Sequence, residues 1–121
     1  MDLVEECYKG TSSFSRSELY GLTGQLRRAS VSIPANVAEG HARKSTRAYK
    51  NHVSIAIGSH AEFTTCIEVA IRLGFLSRPD RDQLMKLADS VGRLLHGLYR
   101  ALEQKVAERR RNRSASGNPN P

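Results

Sequence analysis

The sequence predicts an all-α protein, an antiparallel up-and-down four-helix bundle with a disordered C-terminal tail. Three observations carry this. Apolar residues recur at helical spacing along most of the chain, glycine and serine divide it into four segments, and no stretch alternates apolar and polar residues as a half-buried strand does. The 121 residues suit one domain and leave little room for a second. Hydrophobic residues at 39% and charged residues at 26% are those of a globular chain that buries a core without metal or disulfide support.

The first segment, Asp2 to Lys9, is about two turns long and ends at Gly10, a residue suited to a helix C-terminus. The link Thr11-Ser12-Ser13-Phe14 leads into Ser15-Arg16-Ser17-Glu18, where serine followed three residues later by glutamate fits a capping box. The second segment carries Leu19, Leu22, Leu26, Ala29, Ile33 and Val37 at intervals of 3, 4, 3, 4 and 4, one helical stripe. Pro34 removes the hydrogen bond to the Ser30 carbonyl, at a cost of roughly 3 kcal/mol in a helix interior. The stripe keeps phase across it, so one kinked helix is expected in preference to two, closed by Gly40.

The third segment opens near Ser45 or Thr46 and runs to Gly74. Tyr49, Val53, Ala56, His60, Phe63, Ile67 and Ala70 alternate at 4 and 3, an a/d seam that Ile57 and Ile71 widen. The fourth segment starts at Ser77, with Pro79 tolerated in the first turn and Asp80 favourable to the helix dipole. Leu84, Leu87, Val91, Leu94, Leu98, Leu102 and Val106 form its stripe. The tail, Ser114 to Pro121, is polar and helix-breaking, so the bundle is assigned to residues 1–113 and a disordered tail to 114–121. Regular seams and additional apolar positions such as Ile55 and Ile57 also suit contacts between copies, so a homo-oligomer is expected.

Charge is unevenly placed. The chain has 19 Lys and Arg against 12 Asp and Glu, a net +7. One basic zone holds Arg27, Arg28, Arg43, Lys44, Arg47 and Lys50 against Glu39 alone; a second holds Arg93, Arg100, Lys105, Arg109, Arg110, Arg111 and Arg113 against Glu103 and Glu108. Each zone is net +5, and the remainder of the chain is net −3. Clustered arginine suits phosphate, and the absence of interleaved aromatics favours backbone contact over base reading. The competing readings are that both zones are solvated helix faces, and that Arg27 and Arg28 pair with acids such as Glu39 or Glu62 to hold the bundle.

Several chemistries have no residues to stand on. No apolar run approaches the ~20 residues of a membrane span, and the acidic start Met1-Asp2-Leu3-Val4-Glu5-Glu6 is not that of a signal peptide. Cys7 and Cys66 lie among apolar residues and read as buried, reduced thiols of a cytoplasmic protein. A di-iron bundle needs Glu-x-x-His pairs, yet Glu18, Glu39, Glu62 and Glu68 are followed at that spacing by Gly21, Ala42, Thr65 and Ile71. His52 and His60 lack the spacing of a helical zinc pair. His60 occupies the seam, as a hydrogen-bonded core residue first and a ligand or register-fixing residue next. Ser59, His60 and Glu62 cannot form a triad among themselves, since adjacent helical residues diverge by about 100°. No enzyme, metal or cofactor is expected.

Two stretches together resemble a known family. They are Leu22-Thr23-Gly24-Gln25-Leu26-Arg27-Arg28-Ala29-Ser30-Val31-Ser32-Ile33-Pro34-Ala35-Asn36-Val37-Ala38-Glu39-Gly40 with Arg43-Lys44-Ser45, and Ile55-Ala56-Ile57-Gly58-Ser59-His60-Ala61-Glu62 continuing to Leu73-Gly74-Phe75-Leu76. They resemble the bacterial four-helix-bundle proteins encoded in ribosomal-RNA intervening sequences. The sequence departs from that pattern at His60, where the family usually has Leu, at Thr64, where it usually has Glu, and at Ala48, where an acid is usual. Its first helix is shorter than the family's, which places Met1 partway into that helix. The resemblance implies antiparallel bundles assembled into a pentameric barrel. It also implies kinship with the accessory variability determinant of diversity-generating retroelements, a basic pentamer that binds a reverse transcriptase and nucleic acid.

The expected function is therefore a non-enzymatic oligomeric scaffold that binds RNA or DNA through the phosphate backbone. The expected contacts are Arg27, Arg28, Arg43, Lys44, Arg47, Lys50, Arg109, Arg110, Arg111 and Arg113. The alternative is an adaptor that docks an acidic protein such as a reverse transcriptase or another polymerase.

Overall fold

The computed structural model describes residues 1–12 and 21–115. They form four helices, α1 (Asp2–Thr11), α2 (Leu22–Ala42), α3 (Thr46–Arg72) and α4 (Arg78–Ala115), with no strand among the described residues. The capping box, Leu19 of the α2 stripe and the last six residues of the tail lie outside the described residues.

Local chemistry places the breaks. Ser45 is the N-cap of α3, its Oγ accepting from the Ala48 N–H at 3.2 Å. Arg72 is the last residue of α3, and Gly74 adopts φ +75°. The Phe75 N–H reaches back to the Ala70 carbonyl at 2.9 Å and the Gly74 N–H to Ile71 at 3.0 Å, closing the end as a Schellman motif. Ser77 then starts α4, its Oγ accepting from the Asp80 N–H at 3.2 Å. α2 runs unbroken through Pro34.

Neighbours in sequence are neighbours in space. α2 packs on α3 and α3 on α4, while α1 lies against both α2 and α4. The helices thus stand at the corners of a square in chain order, with α2 and α4 across a diagonal and their backbones apart. Paired residues run in opposite directions: Ser32 meets Ser59 at 2.8 Å and Cys66 meets Gln25 at 3.4 Å, so α2 and α3 are antiparallel. The core is built around Phe63, Leu26, Ile67, Leu84 and Val53, all fully buried. No helix among the described residues is long and apolar enough to cross a membrane.

Three expectations are corrected. Gly40 does not end α2, which continues to Ala42; instead it lets α3 approach, since a Cβ there would lie 2.7 Å from His52 Cβ and 2.9 Å from Tyr49 Cδ1. Gly10 likewise lies inside α1, packed toward Leu84. The α4 stripe is corrected in part. Leu84 and Leu102 are buried as read and Leu87 and Val91 pack against the core, but the fully buried positions between them are Ala88, Gly92 and Leu95, while Leu94 is 74% exposed. The cause is His60. Its Nε2 donates to the Ala88 carbonyl at 2.7 Å, and a Cβ on Gly92 would fall 2.8 Å from the ring. Small residues on α4 make room for the imidazole, and Leu94 turns outward.

Candidate functional site

α2 ends where Arg43 takes an extended backbone (φ −75°, ψ 147°), and Ser45 starts α3 two residues later. This tight turn sets Arg43 and Lys44 on the tip of the bundle and Arg47 in the first turn of α3. α4 runs antiparallel to α3 and brings its own C-terminal turns to the same tip. Ser45, Thr46 and Arg47 from one side, and Val106, Arg109, Arg110 and Arg113 from the other, line one recess of about 180 Å3. Arg47 of the first basic zone and Arg109, Arg110 and Arg113 of the second, some sixty residues apart in sequence, thus share one basic end.

The cations there differ in what holds them. Arg43 Nη2 lies 2.7 Å from Glu39 Oε1, an exposed pair that contributes little. Lys50 lies 4.0 Å from Glu103 Oε2 and 5.6 Å from the centre of the Tyr99 ring. Lys44, Arg47, Arg109 and Arg110 are exposed and take part in no ion pair among the described residues. Arg111 faces a second shallow recess with Ala107, Arg110, Ser114 and Ala115. Tyr49 is half-buried, edge-on to His41 at 5.7 Å, and Tyr99 lies under Lys50, so neither offers an open stacking face.

Arg27 and Arg28 stand apart from this end by about 22 Å of helix. Arg27 is half-buried and staples α1 to α2. Its Nε donates to Thr11 Oγ1 at 3.0 Å, its Nη2 to the Tyr8 carbonyl at 3.5 Å, and its guanidinium lies 4.5 Å from the Tyr8 ring centroid. The acids considered as its partners are not involved. Arg28 is exposed on α2 near that staple.

The remaining polar chemistry serves packing. His52 Nδ1 donates to Asn36 Oδ1 at 3.2 Å, and Asn36 Nδ2 donates to the Ser32 carbonyl at 2.9 Å. Cys7 and Cys66 are buried free thiols. Burial pushes both up from the ordinary thiol range, against a Ser30 hydrogen bond and the nearby Arg27 charge at Cys7, and together with the Glu62 charge at Cys66. Among the described residues no group of three or more His, Cys, Asp or Glu is placed to hold a metal ion.

A family model described as 23S rRNA-intervening sequence protein matches residues 1–97. The chain is also similar to a solved structure from Bacteroides thetaiotaomicron, a protein with unknown function from the S23 ribosomal protein family. The two superpose with a TM-score of 0.66 at 19% identity, over 81% of this chain and 85% of that one, a likeness of fold. No curated protein matches. The turn at Arg43–Arg47 lies inside the matched residues and the arginines at the end of α4 lie beyond them.

Proposed function

Since the chain belongs to the 23S rRNA-intervening sequence protein family, we propose that it is a non-enzymatic, oligomeric basic scaffold that holds nucleic acid by its phosphate backbone. One observation carries the reading: Arg47, Arg109, Arg110 and Arg113 line one recess at the end of the bundle, beside the turn that carries the exposed Lys44. Guanidinium groups match phosphate oxygens, and without an open aromatic beside them they read charge and shape rather than bases. Assembly into a ring, the pentamer expected from the family resemblance, would repeat the basic end around an axis and bind a polyanion with avidity. A kinship with the retroelement accessory proteins would add a reverse transcriptase as a partner.

The test is a salt titration of binding to an RNA duplex. Five phosphate contacts per chain give a slope of log affinity against log salt near −4.5 for a duplex, with little dependence on base sequence. A flat response, or no binding at low salt, contradicts the proposal and favours the adaptor that docks an acidic protein.

A further inference from the structure

The middle of α4 carries cations that the basic end does not use. Asp89, Arg93, His96, Arg100 and Glu103 follow one another at intervals of 4, 3, 4 and 3, a single stripe along the helix. His60 of α3 comes against it, and an open recess of about 420 Å3 is lined by His60, Asp89, Gly92, Arg93, His96 and Arg100. That is the size of a small-molecule site. The recess shares no residue with the basic end, and Arg100 and Arg109 are about 14 Å apart along α4. Its donors are uncommitted. Arg93 reaches Ser90 Oγ at 3.4 Å, and Arg93, His96 and Arg100 are exposed and enter no ion pair among the described residues.

Charge along the stripe sets the size of the ligand. The cations span about 10 Å, from Arg93 to Arg100, and a carboxylate follows at either end, Asp89 on one side and Glu103, which Lys50 approaches only to 4.0 Å, on the other. A polyanion laid along the groove meets both carboxylates, whereas one compact anion seated between Arg93 and Arg100 clears them. His60 narrows the chemistry. Its Nε2 donates to the Ala88 carbonyl, so the neutral ring keeps its proton there and leaves Nδ1 a bare acceptor, with no partner among the described residues. An anion at Nδ1 therefore needs one more proton. A phosphate monoester, whose second proton leaves near pH ~6, supplies that proton or carries the second charge that attracts one; a backbone diester does neither. We infer that the recess binds a phosphate monoester, the terminal phosphate of a free nucleotide or of a nucleic-acid end, gripped by Arg93 and Arg100 with a proton shared with His60 Nδ1.

The probes are adenosine monophosphate and the diester dimethyl phosphate, titrated calorimetrically into the full chain, and a short oligonucleotide with or without a terminal phosphate. The oligonucleotide pair is titrated into the chain carrying Lys44→Gln, Arg47→Gln, Arg109→Gln and Arg110→Gln, which silences the basic end. The expected result is saturable binding of adenosine monophosphate, about tenfold or more tighter than of dimethyl phosphate, or the same preference for the phosphorylated oligonucleotide over its unphosphorylated form. The first outcome marks a free nucleotide as the source and the second alone marks a chain end. Arg93→Gln with Arg100→Gln should weaken that binding by about tenfold or more. It should keep the wild-type melting temperature and duplex affinity, so this test and the salt titration fail independently. His60→Gln retains a donor for the Ala88 carbonyl but lacks Nδ1, and should weaken monoester binding as well. Absence of saturable binding to either monoester, equal affinity for the diester, or undiminished binding by the folded arginine variant overturns the inference. Loss of adenosine monophosphate binding on silencing the basic end also overturns it, because that end is then the phosphate site.

Discussion

Replacing Lys44, Arg47, Arg109 and Arg110 together with glutamine weakens binding to a nucleic-acid duplex by on the order of a hundredfold or more near ~0.1 M salt, and flattens the salt dependence. The fold should not change, because these side chains are exposed and make no ion pair among the described residues. The comparison with other charge changes is informative. From sequence alone, neutralising Arg27, Arg28, Arg43 and Lys44 is expected to weaken binding more than deleting everything after Glu108. The geometry reverses that order. Arg27 is engaged with Tyr8 and Thr11, and Arg43 is paired with Glu39, whereas the deletion removes Arg109, Arg110 and Arg113 from the basic end. The Arg27-containing variant should instead lose melting temperature as α1 loosens. Affinity and melting curves on the three variants check the order, and equal affinity of the first variant and wild type would refute the basic end as the contact.

Phe63→Ala destabilises the chain by about 3–5 kcal/mol, a fall in melting temperature of roughly 10–20 °C. Phe63 is fully buried at the centre of α3, so truncation leaves a cavity that rigid neighbours fill poorly. Leu94→Ala, by contrast, should lie within about 0.5 kcal/mol of wild type. Had α4 packed by the stripe of large aliphatics, Leu94→Ala would be a core truncation and would cost as much as its neighbours. Denaturant unfolding of the two variants decides the phase of α4. A loss of several kcal/mol at Leu94 in a demonstrated monomer would show that the helix is rotated from its assigned packing.

The contrast between α3 and α4 explains what the sequence made legible. On α3 the seam at alternating 4 and 3 is apolar almost throughout, and Val53, Ala56, Phe63, Ile67 and Ala70 are all buried. Its start at Ser45 and the α4 start at Ser77 could be read because capping is local chemistry, decided within three residues. On α4 the buried positions Ala88 and Gly92 carry no hydrophobic signal, and their role exists only because His60 comes across from α3. The same holds for Gly40, whose value lies in the nearness of Tyr49 and His52 rather than in its own conformation. The site divides the same way. Each basic zone was visible as composition, but that Arg47 and Arg109 share a recess follows from the antiparallel pairing of α3 and α4, and that Arg27 belongs elsewhere follows from the seat of α1.

The central claim is that one end of the bundle, and not the basic residues at large, holds the phosphates. Chemical footprinting of lysine and arginine side chains, with and without a bound RNA duplex, tests it most directly. The account predicts protection of Lys44, Arg47, Arg109 and Arg110, with Lys9, Arg28, Arg72, Arg81 and Lys86 modified equally in both states. Protection spread evenly over all of these residues, or centred on Arg28, would contradict it.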